Sequence, residues 1–138
     1  MRIVKPWGEE IIIVNDPVAN YCGKLLRINK GFQTSIHKHN IKDETLYINK
    51  GRLYMMLNMY SENSKCSEMI AGDAARIVPD VFHRMIALED VEIVEFSTYH
   101  NDKDTERREI GGQISAGLLN KLEALVGAST RKSLMEVD

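Results

Sequence analysis

The stretch GFQTSIHKHNIKDETLYINKG, residues 31–51, carries two histidines and a glutamate at close spacing between two glycines. Side chains two residues apart on a β-strand point to the same face of the sheet. His37 and His39 are therefore predicted to share a face, and the segment NIKD is predicted to turn the chain so that Glu44 opens the next strand. Two imidazoles and a carboxylate that meet at such a corner suit a divalent metal ion.

Elsewhere the apolar residues occur in short runs rich in β-branched side chains, and turn signals such as NDP, NKG and SENSK separate the runs. We count roughly seven or eight predicted strands at a spacing of about 8–12 residues, which is typical of an antiparallel sandwich or barrel. Strand patterns do not alternate with helical patterns, so a parallel sheet is not predicted.

The tail of the chain has a different period. In SAGLLNKLEALVGAS, residues 115–129, the leucines and the valine fall at helical spacing. Ser115 is predicted to cap the start of this helix and Gly127 its end. We predict a barrel over residues 1–112, with residues 113–138 as a helix and tail packed on the same domain.

Composition excludes several classes of partner. The 138 residues suffice for one domain, and the net charge of −2 gives no reason to expect a nucleic acid or a membrane surface as partner. The start, MRIVKPWGEE, lacks the apolar core of a secretory signal. Cys22 and Cys66 leave a disulfide open, although two reduced thiols are favoured. We therefore predict a cytoplasmic protein with no nucleic-acid or membrane partner.

A second run, GDAARIVPDVFHRM at residues 72–85, places His83 at the start of another strand, after a turn that contains proline. The spacing from Gly31 through the two histidines and Glu44 to Gly51 matches the first motif of the cupin superfamily at every defined position, and the chain resembles that superfamily. The second motif is met in part. Val78 and Asp80 stand where proline and glycine are usual, and Ala87 stands where asparagine often follows the histidine.

The cupin resemblance implies a fold and a metal. The implied fold is all-β, an antiparallel jelly-roll (double-stranded β-helix) cupin barrel, here with one C-terminal α-helix. The implied ligands of one divalent metal ion (Zn, Fe, Mn or Ni) are His37, His39, Glu44 and His83, inside the mouth of the barrel.

Two flanking segments narrow the resemblance. VKPWGEEIII near the start and VEIVEFSTYHNDKDTER later are similar to the cupin domain of the mannose-6-phosphate isomerase type II group. The resemblance implies a sugar or sugar-phosphate isomerase or epimerase of carbohydrate metabolism, in which the metal acts as a Lewis acid. The group commonly ends in Tyr-Gly-Arg, whereas this chain reads EIGGQIS there.

A sugar phosphate needs a cationic clamp, for which the candidates are Arg84, Arg107 and Lys5. The general base remains open, with Tyr47, Glu95 and His100 as possibilities.

Two alternative functions stay open. One is a non-haem metal dioxygenase on the same site, and the other is a non-catalytic cupin that binds a sugar or metabolite. The missing Tyr-Gly-Arg end favours the second alternative. A homodimer is expected, formed through the EEIIIV strand at residues 9–14 or through the apolar helix.

Overall fold

The computed structural model describes residues 1–137, and the side chains of residues 1–127. Thirteen strands and one α-helix occur in this part of the chain, with a single 3-10 turn at Asp102–Asp104. The strands are β1 (Arg2–Lys5), β2 (Gly8–Asp16), β3 (Tyr21–Ile28), β4 (Phe32–Gln33), β5 (Ile36–His39), β6 (Glu44–Lys50), β7 (Arg52–Leu57), β8 (Lys65–Ile70), β9 (Ala74–Ile77), β10 (His83–Ala87), β11 (Val91–Ser97), β12 (Thr105–Glu109) and β13 (Gly112–Gln113), and the helix is α1 (Ala116–Val137).

The strands form two antiparallel sheets. The six-stranded sheet has the order β1-β2-β3-β11-β6-β9. The seven-stranded sheet has the order β12-β5-β10-β4-β13, and β7 pairs with both β10 and β8. Neighbouring strands often come from distant parts of the chain, as where β11 lies between β3 and β6. This architecture confirms the predicted jelly-roll barrel with one C-terminal helix.

The space between the sheets has an apolar part and a charged part. The inward side chains of β11 change from Val91 and Ile93 to Glu95, and those of β3 change from Leu26 and Ile28 to Lys24. Glu95 pairs with Lys24 across these two strands, so the charged positions lie at the same end of the sheet. The apolar part is the core, in which each fully buried aliphatic side chain contributes about 1.5–3 kcal/mol. The charged part, with the buried Glu95 and Lys24, is where a functional site is expected, because buried charges are rare in a core that serves packing alone.

The helix confirms one predicted cap and corrects the other. Ser115 Oγ accepts a hydrogen bond from the backbone N–H of Leu118 at 3.1 Å, as an N-cap does. The prediction that Gly127 ends the helix is wrong, because α1 continues to Val137. A glycine inside a helix costs only about 1 kcal/mol relative to alanine, which is too little to end a helix. Leu122 and Val126 are buried in a second apolar cluster with Ile86 and Leu88. Asp138, the end of the predicted tail, lies outside the described residues.

The EEIIIV segment lies within β2, which pairs with β3 along one side. On its other side β1 pairs only as far as Ile11 and Met1 bonds to Ile12, so Ile13 and Val14 have no described strand partner there. The expected pairing of two copies through this strand stays a prediction. Cys22 is buried, Cys66 is exposed, and both thiols are free. Within residues 1–137, no helix is long and apolar enough to cross a membrane.

Candidate metal centre

Three histidines converge between β5 and β10. His37 and His39 leave β5 on the same side, and His83, the first residue of β10, pairs directly with His37 in the ladder. One ring nitrogen from each histidine lies within 4.8 Å of the other two. This spacing positions the three imidazoles to bind one metal ion.

The altered second motif keeps the turn that leads into His83. Asp80, at the position where glycine is usual, has a backbone φ of 68°, which is the left-handed conformation that glycine adopts easily. Aspartate is one of the few other residues that tolerate this conformation. The Asp80 N–H donates to the His39 carbonyl at 2.8 Å, and its carboxylate accepts from Lys38 Nζ at 3.2 Å. The turn is therefore tied to the strand that carries two of the histidines.

The far nitrogen of each imidazole has a protein partner. His83 Nδ1 lies 2.9 Å from the Val81 carbonyl oxygen, and His37 Nδ1 lies 3.2 Å from the Ser35 carbonyl oxygen. Because a carbonyl oxygen only accepts, Nδ1 of His83 must donate, which leaves Nε2 of its neutral ring with the lone pair free. His37 Nδ1 also lies 2.9 Å from the Ser35 hydroxyl, which can either donate or accept. His39 Nδ1 contacts the Thr105 hydroxyl at 3.1 Å. Partners of this kind orient metal-binding histidines and fix their tautomer.

Burial keeps two of the histidines neutral. Burial, together with the neighbouring His83 and His39, lowers the pKa of His37 to about 2. Burial, followed by the charge of Lys42, lowers the pKa of His39 to about 4. Both rings are therefore unprotonated near neutral pH, as metal binding requires.

Glu44 lies beside the triad. Its Oε1 atom is 3.3 Å from His83 Nε2, and its Oε2 atom is 4.0 Å from His39 Nε2. Since Nδ1 of His83 already donates to a carbonyl, Nε2 of the neutral ring and the carboxylate face each other as two acceptors. Such a contact is stable only when a cation, either a second proton or a metal ion, lies between them. The donor set therefore fits a divalent metal held by the three histidines, and Glu44 as a fourth ligand stays a prediction.

A buried lysine joins Glu44 to the rest of the interior. Lys42 Nζ lies 3.1 Å from Glu44 Oε2, 2.8 Å from Glu95 Oε2 and 3.1 Å from His100 Nδ1. Burial opposes the charged form of this ammonium, but the carboxylates of Glu44 and Glu95 outweigh it and raise the pKa of Lys42. His100 in turn contacts Asp102 through Nε2 at 2.8 Å. Metal-site and acid–base groups thus form one connected network.

The triad lines a cavity that also contains charged and apolar side chains. Trp7 and Leu26 supply part of its apolar wall. Its lining also contains cations and anions in equal number, which are Lys5, Lys24, Lys42 and Arg107 with Glu10, Glu44, Glu95 and Asp102. A divalent metal on the triad would make the interior net positive, which favours an anionic ligand.

Two of the three predicted clamp residues line this cavity. Lys5 lies 3.3 Å from Glu10, and Arg107 forms no side-chain hydrogen bond or ion pair with any described residue. Arg84 is not among the lining residues. Its guanidinium donates to the carbonyls of Thr34 at 2.9 Å and Ile110 at 3.0 Å, so it ties segments of the fold together instead of facing the cavity.

Two of the three possible general bases line the cavity, and one does not. Tyr47 lies on the outer face of β6, away from the cavity, whereas Glu95 and His100 line it. Both nitrogens of His100 have partners. The two contacts of Glu95, to Lys42 Nζ and the Ser97 hydroxyl, involve Oε2 and leave Oε1 for another partner.

Sequence reasoning missed Glu10, Lys24 and Lys42 as cavity residues. Each is almost fully buried, and Glu10 forms an ion pair with Lys24. For two of them a signal was available, because Glu10 and Lys24 interrupt apolar strands at positions whose neighbours two residues away point inward. Lys42 lies in a loop, where no period applies.

Comparisons with known proteins support the fold. No protein-family model matches this sequence, and no curated protein sequence matches it. Among solved structures, KdgF from Halomonas sp. has a TM-score of 0.63 at 20% identity, covering 73% of this chain and 86% of that chain. A Bacillus subtilis oxalate decarboxylase has a TM-score of 0.70 at 17% identity, covering 78% of this chain. The chain spans only 30% of that decarboxylase's length.

A further Bacillus subtilis oxalate decarboxylase structure, which contains Mn(II) centres, has a TM-score of 0.66 at 18% identity over 78% of this chain. These likenesses establish the fold, because identities this low carry no finer information. The chain therefore has the cupin fold, and its histidine triad is positioned for a metal.

Proposed function

We propose that this protein is a metal-dependent isomerase or epimerase of a small sugar or sugar phosphate. One observation carries the proposal. The cavity that holds the histidine triad also holds the carboxylate of Glu95, with its Oε1 atom without a described partner, and the uncommitted cation of Arg107. Metal, base and anion anchor are the three parts that such a reaction needs.

When bound at His37, His39 and His83, with Glu44 as the proposed fourth ligand, the metal would supply Lewis-acid polarisation of a carbonyl and its neighbouring hydroxyl. Glu95 would take a proton from one carbon and return it to the adjacent carbon. The hydroxyl proton moves between the two substrate oxygens, so the reaction needs no oxidant or second substrate. Lys42 holds Oε2 of Glu95, which would leave Oε1 for the substrate proton.

Arg107 and Lys5 would anchor the anionic end of the substrate. Both side chains line the cavity, and a guanidinium matches the geometry of a phosphate. The anionic substrate of the oxalate decarboxylases with the same fold is consistent with a cavity that a bound metal would make net positive. Arg84 is left out of this role because backbone carbonyls occupy its guanidinium.

We also propose that two copies pair through the outer face of the six-stranded sheet. Four apolar side chains are successive cross-strand neighbours there, and they are Ile11, Leu25, Val94 and Tyr47. Phe96, 59% exposed, extends this apolar surface. The adjacent row consists of Glu9, Arg27 and Glu92, whose ion pairs within the sheet reduce the repulsion of a second copy.

The first test measures metal content together with turnover. We expect purified protein to hold about one equivalent of a divalent metal. The His37→Ala variant should lose the metal, because the two histidines that remain are too few ligands to hold it. The metal-loaded protein should interconvert an aldose phosphate and its ketose phosphate, as observed by NMR. With a substrate deuterated at the carbon that loses its proton, the deuterium signal from that carbon should decrease during the reaction. Glu95→Gln should reduce turnover at least about a hundredfold and keep the metal.

Three results would contradict this function. Iron in the site with oxygen consumption would indicate the dioxygenase alternative. Metal binding with sugar-phosphate binding but no turnover would indicate a non-catalytic binding protein. Absence of metal after addition of Zn²⁺, Mn²⁺ or Fe²⁺ would remove the catalytic proposal altogether.

A further inference from the structure

Lys42 is a buried cation in contact with a proposed metal ligand. Its side chain is 2% exposed, and its three contacts, to Glu44, Glu95 and His100, match the three N–H groups of an ammonium. The lysine is therefore fully committed inside the barrel and forms no part of a solvated surface.

The loop that carries Lys42 is built to turn this side chain inward. The carboxylate of Asp104 accepts hydrogen bonds from the backbone N–H of Ile41 at 3.0 Å and of Lys42 at 3.0 Å. Ile41, the preceding residue, is 79% exposed, so the two side chains point in opposite directions. A carboxylate that receives two consecutive backbone N–H groups fixes the loop firmly. The inward position of Lys42 therefore follows from the fold.

Charge balance gives Lys42 a definite task. Glu44 and Glu95 are both at most 4% exposed as residues, and two buried carboxylates without a counter-ion would repel each other strongly. The ammonium of Lys42 lies between them and neutralises one of the two charges. A divalent metal held by the triad would be attracted to the same carboxylate, because Glu44 lies 3.3 Å from His83 Nε2 and 4.0 Å from His39 Nε2.

We propose that Lys42 is an internal counter-ion that competes with the metal for Glu44, and so weakens metal binding while it stabilises the metal-free barrel. The inference rests on the metal site of the proposed function and not on isomerase activity. The charge of Lys42 repels a divalent cation, and its ammonium holds Oε2 of the proposed ligand Glu44. Without this charge, the carboxylates of Glu44 and Glu95 would attract the metal with no nearby lysine to oppose them. The same removal leaves the metal-free protein with two adjacent buried negative charges.

The test compares metal affinity and thermal stability in matched variants. Lys42→Met keeps the length of the side chain and removes the charge. Lys38→Met is the control, since Lys38 lies four residues earlier and pairs with Asp80 and Glu106 on the outside of the sheet. Zn²⁺ and Mn²⁺ affinities are measured by competition with a chromogenic chelator, without substrate, and melting temperatures are measured with and without each metal.

We expect Lys42→Met to bind metal at least about tenfold more tightly than the parent protein, and Lys38→Met to change affinity by no more than about twofold. Without metal, Lys42→Met should melt at a lower temperature than Lys38→Met, and metal should raise its melting temperature by a larger amount. If Lys42→Met does not fold without metal, the double variant Lys42→Met/Glu95→Gln removes the second charge as well and should fold and still bind metal more tightly than Glu95→Gln alone.

A folded Lys42→Met protein with equal or weaker metal affinity would overturn the inference and leave the metal site intact. A parent protein that binds neither metal would overturn both the inference and the proposed function. A parent protein that binds metal but isomerises no sugar phosphate would affect only the proposed function.

Discussion

Arg84 follows the triad residue His83 in the chain, yet the two side chains leave β10 on opposite sides. Adjacency in sequence suggested that both serve the same site, but the alternation of a strand separates them. Arg107 is distant in sequence and becomes a cavity residue because β12 pairs with β5 directly beside His37. For an arginine on a strand, register predicts its role better than its neighbours in the chain do.

The two arginines give a matched prediction. Arg84→Ala leaves the carbonyls of Thr34 and Ile110 without their donor, so we expect the free energy of unfolding to fall by about 1–3 kcal/mol. Arg107→Ala removes no described side-chain contact, and we expect a change within about 0.5 kcal/mol but weaker binding of a sugar phosphate. Urea unfolding and ligand titration measure the two effects. A larger stability loss for Arg107→Ala would contradict this assignment of roles.

At the scale of elements, the corner between β5 and β6 was predictable from two independent signals. The two-residue spacing of His37 and His39 indicated a strand, and the motif bounded by Gly31 and Gly51 indicated the same corner. Glu44 and His83 open their strands as predicted. The two-residue strands β4 and β13 were missed, because two residues cannot display a period. The end of α1 was missed because one glycine is weak evidence for a helix terminus.

The two motif glycines allow a test at this scale. Gly31 and Gly51 both have positive φ values, of 79° and 82°. A Cβ atom at Gly31 would have ordinary space, whereas one at Gly51 would lie 2.3 Å from the Asp90 carbonyl oxygen. We expect Gly31→Ala to cost about 1–2 kcal/mol from its backbone conformation alone. Gly51→Ala should cost about 1–3 kcal/mol more, because the backbone near Asp90 must move.

Chemical denaturation of both variants measures the difference, and metal affinity should follow the same order, since Gly51 directly follows the strand that Glu44 begins. Equal costs at the two positions would show that the close approach to Asp90 relaxes freely, which would contradict the expected rigidity of this turn.

For the whole molecule, the ligand triad was predictable and the network around it was not. The three histidines follow from two local patterns, each readable within about twenty residues. The partners of Lys42 come from β6, β11 and the segment after β11, and only the pairing of β11 with β6 brings Glu95 near Glu44. Such contacts between distant segments depend on sheet order, which a single sequence does not reveal.

The same sheet order defines the surface through which we propose that two copies pair. Because β2, β3, β11 and β6 are neighbours, their outward apolar residues merge into one row that no described segment of the chain covers. Burying Phe96 in a dimer would remove apolar surface from water, whereas a charge at that position would have to be desolvated.

We therefore expect Phe96→Glu to convert the dimer to a monomer, as measured by light scattering over a range of concentrations. Ile110→Glu is the control, since Ile110 is 84% exposed in the segment after β12, outside the six-stranded sheet, and this variant should remain dimeric. A parent protein that is monomeric at every concentration would rule out the pairing, and a dimer that survives Phe96→Glu would place the interface elsewhere.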